Sequence, residues 1–345
     1  MSRFTYSTKV DHPPRTVFDW HGREGAFERL APPWAPIRLE KHEGIREGDR
    51  AVIRLGWGPL STRWVARHTA CRPGEMFEDV QEEGPFDSWR HQHRFEAVGA
   101  DACTVTDEIE YELPLGNVGD AVGGRCVTGR LREQFKYRHR VLANDLDLHR
   151  RYKSRELTVA RTGSSGLIGS AVRAFLTTGG HHVLCLVRRP AASDDEVFWS
   201  PATGEIDAKR LEGIDAVVHL AGESIFAPRW SASKKRRIYD SRVQGTRLLA
   251  SALAGLNEPP EVFVSSSAIG IYGDRGDEEL TEESDVDDRL FLAQVCHDWE
   301  AATDPARDSG IRTVLARTGL VLSGKGGALE PMLPVFKAGL GGRLG

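Results

Sequence analysis

Residues 162–169 read Thr162-Gly163-Ser164-Ser165-Gly166-Leu167-Ile168-Gly169. The stretch follows the apolar run LTVAR (157–161) and opens a helix-like run, SAVRAFLTTG, after which HHVLCLV (181–187) reads as a second strand. A strand, a glycine turn, a helix and a strand make a βαβ unit, and TGxxGxxG at its turn fits a dinucleotide loop. Gly163 allows the sharp turn off the strand. Gly166 lets the backbone approach a pyrophosphate, and Gly169 lets the helix lie close to the sheet. The helix N-terminus offers unpaired N–H groups to the anion. Gly163, Ser165, Gly166, Leu167, Ile168 and Gly169 are therefore the expected cofactor loop.

Working outward, DAVVHLAG (215–222) and EVFVSSSA (261–268) are further apolar strands with helical segments between them. That alternation predicts an α/β Rossmann domain with a doubly wound parallel sheet. The second strand ends in LVRRP. An acid there would favour NAD by holding the ribose 2′-OH. Arg188 and Arg189 suit a 2′-phosphate instead, so the expected cofactor is NADP(H). Arg161, at the end of a strand that should be buried, is expected to snorkel out or to meet a carboxylate.

The first 152 residues have a different period. RFTYSTKV (3–10) alternates like a half-buried strand, and PPRTVFDWHGREGAFERL (13–30) carries a helix-starting proline. Strand-like runs follow near 36–42, 49–55, 60–71, 75–82, 87–96 and 103–113. From Val118 to Tyr152 the apolar spacing turns helical, through Val122, Leu131, Phe135, Val141, Leu142 and Leu146. Period two puts Trp89, His91, His93 and Phe95 on one strand face. It puts Cys103, Val105, Asp107, Ile109, Tyr111 and Leu113 on another. A short loop near Gly99–Asp101 should pair His93 with Asp107, and the carboxylate should raise the histidine pKa. His-x-His can be a metal pair, a satisfied core cluster or a polar spot in a ligand cavity. No third ligand is evident, so no metal is expected.

Strand, short helices, antiparallel strands and a long closing helix, together with FDSWRHQHRF (86–95), resemble the START-like (SRPBCC, polyketide cyclase-like) domains. The implied fold is an α+β helix-grip domain with a cavity for a hydrophobic ligand. The glycine loop, HLAG (219–222), SSSAIGIYGD (265–274) and RTGLVLSGKGGAL (317–329) resemble the extended short-chain dehydrogenase/reductases. FWSPATGEID, GESIFAPRW, SRVQGT, VCHDWE and GGALEPML narrow this to the atypical nucleoside-diphosphate-sugar epimerase-like family. The resemblance implies that Ala221, Gly222 and Arg242 reach the cofactor and that Ser267 stands at the superfamily's catalytic Ser/Thr position. It also places Leu292 and Cys296 where the superfamily carries Tyr and Lys, leaving Tyr272 and Ser267 as candidate substitutes. The chain ends at Gly345, where the family continues into the elements that close the substrate pocket.

The expected organisation is therefore a START-like domain over 1–152, a charged linker at 149–156, and an NADP(H)-binding domain over 153–345 without its substrate-closing part. A net charge of −4 gives no basic field for nucleic acid. No apolar run approaches the roughly 20 residues of a membrane span. Five scattered cysteines without CxxC suit reduced thiols and a cytoplasmic setting. The expected function is that of an NADP(H)-dependent oxidoreductase or epimerase-like enzyme acting on a small-molecule substrate. The rival is a non-catalytic NADP(H)-responsive binding or sensor protein.

Overall fold

A computed structural model describes residues 1–345 apart from 57, 115, 116, 153, 154, 227, 228, 288 and 343–345, and apart from the side chains of 117–122. Val118, Val122, part of the expected linker and the last three residues thus lie outside the described set. The chain divides into two compact units, Met1–Ser154 with Ala174–Gly180, and Arg155–Arg173 with His181–Gly345.

In the first unit β1 (Ser2–Val10) leads into two short helices, α1 (Pro14–His21) and α2 (Ala26–Leu30). Six strands follow: β2 (Ile37–His42), β3 (Arg50–Leu55), β4 (Thr62–Arg72), β5 (Met76–Glu83), β6 (Ser88–Ala97) and β7 (Cys103–Glu112). Helix α3 (Asn117–Tyr152) closes the unit. The sheet order is β1-β7-β6-β5-β4-β3-β2, antiparallel throughout. This is the helix-grip arrangement. Two register shifts between β4 and β5, at Val65/Ala66 and His68/Ala70, add twist where the sheet must curl. The alternation of β7 is complete: every second residue from Cys103 to Tyr111 is buried. Helix α3 presents Leu131, Phe135, Leu142 and Leu146 at spacings of four, seven and four residues, one face of a helix. Leu142 and Leu146 pack with Phe18, Phe77, Phe95 and Val105, and Leu131 and Phe135 with Phe4, Ile109 and Tyr111. Each such buried side chain contributes roughly 1.5–3 kcal/mol of transfer free energy.

In the second unit the strands are β8 (Thr158–Arg161), β9 (His182–Val187), β10 (Glu196–Ser200), β11 (Glu205–Ile206), β12 (Ala216–His219), β13 (Val262–Ala268) and β14 (Arg312–Thr318). The order β11-β10-β9-β8-β12-β13-β14 is parallel except for β11, which turns back on β10 through Trp199↔Ile206. That hairpin is the FWSPATGEID stretch, in which no strand had been expected. The connecting helices are α4 (Leu167–Thr178), α5 (Ala232–Ala254), α6 (Phe291–Ala301) and α7 (Asp304–Asp308); β15 (Leu322–Ser323), β16 (Gly326–Gly327) and α8 (Leu333–Lys337) end the chain. Strand β8 lies between β9 and β12, so chain order reverses there. The crevice at its carboxyl end is where such sheets bind ligands.

Candidate functional sites

The glycine loop leaves β8 at that crevice. Gly163 has φ +68°, a conformation that disfavours any side chain, and a Cβ there would also meet Leu220 at 2.9 Å. A Cβ on Gly169 would lie 2.2 Å from the Gly163 carbonyl oxygen. Both glycines are therefore fixed by space rather than by preference. Helix α4 starts at Leu167, so the N–H groups of Leu167 and Ile168 belong to the first turn, which has no intrahelical acceptors. Thr162 ties the loop to β12: its Oγ1 accepts from the N–H groups of Leu220 and Ala221, both at 3.0 Å. The hydroxyl proton must then go to His219 Nδ1, 2.8 Å away, and His219 Nε2 donates to Thr246 on α5 at 2.9 Å. Burial holds His219 down at a pKa of about 4, so this relay stays neutral. Sequence reading had quoted HLAG without giving His219 this role.

Arg161 corrects an expectation. Its guanidinium is buried and meets no carboxylate among the described residues. Nη1 donates to the carbonyls of Gly169 at 2.6 Å and Ser164 at 3.4 Å, and Nη2 lies 3.4 Å from Cys185 Sγ. The cation is held by backbone oxygens of the glycine loop and by a polarisable sulfur. Arg188 is exposed, with no recorded partner among the described residues. Arg189 forms a two-pronged pair with Glu196, at 2.7 and 2.5 Å. The two arginines were expected to act together; one of them already has a carboxylate.

Beyond β12, Arg242 sits under Gly222, whose Cβ would lie 3.3 Å from Arg242 Cζ. Its Nη1 donates to the carbonyls of Glu223 at 2.9 Å and Ile238 at 3.2 Å, and its guanidinium stacks over Trp299. Ser267 Oγ donates to Glu300 at 2.6 Å. Glu300 is gripped by Arg317 through two contacts of 2.9 Å, and a third Arg317 nitrogen donates to Tyr272 Oη at 2.8 Å. Burial pushes the Glu300 carboxyl up, but Arg317 and Ser267 outweigh it and the net direction is down. Ser267, Glu300, Arg317 and Tyr272 thus form one charge-balanced chain. Arg317 had been read only as part of RTGLVL. The signal that could have found it is register: Arg317 pairs with Ser267 across β13 and β14.

Helix α6 carries Leu292 and Cys296 one turn apart, as expected. Cys296 is buried beside Ile271 and Tyr272. Burial pushes its thiol up to about 11, so it is neither nucleophile nor ready acid. His297 is 63% exposed and faces Asp298 instead.

In the first unit, β5, β6, β7 and α3 bring a second set of groups together. β6 and β7 pair with His93 opposite Asp107, as the loop length required. Asp107 accepts from His91 Nε2 at 2.8 Å and from His139 Nε2, on α3, at 2.5 Å. His93 Nδ1 lies 2.6 Å from the same oxygen as His91, off the line of a good hydrogen bond. Burial would push the Asp107 carboxyl up; the imidazoles around it outweigh burial and hold it well below the carboxylate range. The histidines move the other way from expectation. Burial, reinforced for His93 by His91, lowers both despite the carboxylate. The pairing was legible, but the sign of the shift was not, because desolvation of an enclosed imidazole exceeds one ion-pair term. A cavity of about 380 Å³ opens beside this cluster. Its walls include Ile37, Ile53, Trp64, Phe86 and Leu131, with Asp79 and Arg138 among the polar groups.

Comparison with known proteins follows this division. The model of the NAD dependent epimerase/dehydratase family matches residues 161–322, and that of polyketide cyclase/dehydrase and lipid transport matches residues 10–136. A solved nucleoside-diphosphate sugar epimerase from Corynebacterium glutamicum is 37% identical, covers 99% of this chain and 70% of its own, and superposes with a TM-score of 0.83. The chain belongs to this epimerase family. Its first unit is a polyketide cyclase/START-like domain and its second an epimerase-family Rossmann domain. An epimerase family protein of Mycobacterium bovis is 48% identical over 187 residues, 54% of this chain and 61% of the relative, so the chain spans about three-fifths of that curated relative. The human epimerase family protein SDR39U1, solved with NADPH, is 34% identical over 55% of this chain and 62% of that one, with a TM-score of 0.49. No helix among the described residues is long and apolar enough to cross a membrane.

Proposed function

We propose that the epimerase-family domain binds NADP(H) and acts as an oxidoreductase or epimerase-like enzyme on a small-molecule substrate, with Tyr272 as its proton donor. The observation that carries the reading is the bond from Arg317 to Tyr272 Oη at 2.8 Å, beside Cys296. The usual helix positions hold Leu292 and Cys296, neither of which supplies a proton. Tyr272 packs beside Cys296 from the neighbouring loop, which supports it as a substitute. Because Arg317 donates to its oxygen, the phenol's own proton is left to point elsewhere. Arg317 cannot exchange a proton and serves to orient the phenol, with Glu300 balancing its charge. Bound in the loop of Gly163, Ser165, Gly166 and Gly169, the nicotinamide cofactor would supply or accept hydride. Ala221, Gly222 and Arg242 line the next stretch of the crevice, and Arg188 supplies a cation for the 2′-phosphate.

The test follows NADPH binding and NADPH oxidation separately, against a panel of carbonyl compounds, in wild type, Tyr272→Phe and Cys296→Ser. General acid catalysis is worth about 10²–10⁴-fold, so Tyr272→Phe should lose that much turnover with binding retained. Undiminished turnover in that variant would refute the assignment. The non-catalytic reading has one observation in its favour: the Ser267 hydroxyl is already engaged by Glu300. Tight NADPH binding without turnover on any substrate would establish it.

For the START-like domain, the proposed ligand is a hydrophobic small molecule with one acidic or carbonyl group. The cavity wall is mostly apolar, and the buried Arg138 guanidinium leaves Nε without a partner. The proposed partners are a small-molecule substrate or hydrophobic ligand, without nucleic acid or membrane, in a cytoplasmic setting.

A further inference from the structure

Three acceptors lie close together on the cavity wall, which Arg138 also lines. His91 gives its Nε2 proton to Asp107. Its other nitrogen, Nδ1, therefore carries a lone pair, and it looks at Asp79 Oδ2 across 3.6 Å. His93 brings Nδ1 to 2.6 Å from the Asp107 carboxylate, a distance that two lone pairs would not tolerate. Nδ1 thus carries the proton and Nε2 the lone pair. Asp79 contributes a carboxylate for which no hydrogen bond is recorded, and it is 13% exposed. One ring nitrogen from each of His91 and His93 and one carboxylate oxygen of Asp79 lie within 4.8 Å of one another.

We propose that Asp79, His91 and His93 bind a divalent transition-metal ion of the zinc or iron(II) class at the wall of the START-like domain's cavity. Two imidazoles and a carboxylate are the donor set such ions take, with positions left open for exogenous oxygen. Asp107 accepts the Nε2 proton of His91, as the second carboxylate that orients a histidine ligand does in metal sites. His139 steadies Asp107 from α3. The Asp79–His91 separation of 3.6 Å is close to the roughly 3.4 Å between ligands of a tetrahedral site with 2.0–2.1 Å bonds. All three residues line the cavity, so the open positions face whatever the cavity holds. The single alternative is a proton on Asp79 shared with His91, with no ion.

The full chain, stripped with a chelator and exchanged into metal-free buffer, is titrated with Zn²⁺ and with Co²⁺. One equivalent of Co²⁺ should give visible d–d absorption. It should also give hyperfine-shifted, exchangeable imidazole N–H signals from two histidines in the wild type, a readout that needs no variant. Asp79→Asn and His93→Gln should each weaken binding at least tenfold, and Asp107→Asn by about 10–100-fold through the orienting shell. Circular dichroism establishes that each variant is folded. No stoichiometric binding to the folded wild type would overturn the proposal. So would shifted signals from fewer or other histidines, or affinity unchanged in a folded Asp79→Asn/His93→Gln double variant.

Discussion

The two domains handle buried charge in opposite ways. In the epimerase-family domain, Ser267, Glu300, Arg317 and Tyr272 bond to one another in a chain that balances its own charge. In the START-like domain, Asp79, His91, His93 and Asp107 converge from three strands onto a cavity, and acceptors are left facing acceptors. A closed network positions a group for a reaction. An open one waits for something to complete it. The difference predicts that the first domain's stability depends more strongly on its polar cluster than the second's does on the Tyr272 chain.

The largest effect should come from Asp107→Ala. It leaves His91 and His139 without their acceptor in a buried site, at a cost of about 3 kcal/mol or more. For a domain of this size that is a fall of roughly 6–12 °C in the first domain's melting temperature. A fall of less than 2 °C would put the cluster outside the domain's stabilising core. Gly169→Ala comes next. Its methyl would enter the Gly163 carbonyl, so NADPH affinity should drop at least about tenfold, read by calorimetric titration.

Acid should separate the domains. Burial holds His21 down at about 3 and lowers His42, His68, His91 and His93, all in the first domain. In the second domain burial holds His219 down at about 4. Each of these folded values lies below the unfolded value near 6.5. The unfolded chain therefore takes up protons first, and the stability is present above pH 6.5 and lost as pH falls toward 4 and 3. The raised carboxyl of Asp79 opposes this and offsets part of it. Hydrogen exchange between pH 6.5 and 4 should show protection falling faster in 1–152 than in 155–342. Equal loss would break the comparison. The smallest effect should be Cys296→Ser, which changes one buried, protonated thiol and should leave NADPH affinity within about twofold.

How much was legible follows the chemistry of each domain. A dinucleotide loop is contiguous, so TGSSGLIG fixed the Rossmann domain and placed Gly163 and Gly169 where space forbids a side chain. Period two on β6 and β7 placed His93 opposite Asp107 before any coordinates. Asp79 and His139 were not legible, because they join the cluster through β5–β6 pairing and helix packing that no local pattern encodes. Arg161 departs from expectation because backbone carbonyls, absent from a one-letter sequence, accept its hydrogen bonds in place of a carboxylate. Arg189 reads as a phosphate ligand until Glu196, seven residues on, is seen to hold it.

The proposed preference of the glycine crevice for a 2′-phosphorylated dinucleotide rests on Arg188, which is exposed. The direct measurement is the affinity of the wild type and of Arg188→Ala for NADPH and NADH. A charged hydrogen bond is worth about 1.5–3 kcal/mol, so the wild type should prefer NADPH by at least about tenfold, and Arg188→Ala should abolish most of that preference without changing NADH affinity. Equal wild-type affinities for the two cofactors, or a preference that survives in Arg188→Ala and disappears in Arg189→Ala, would contradict it.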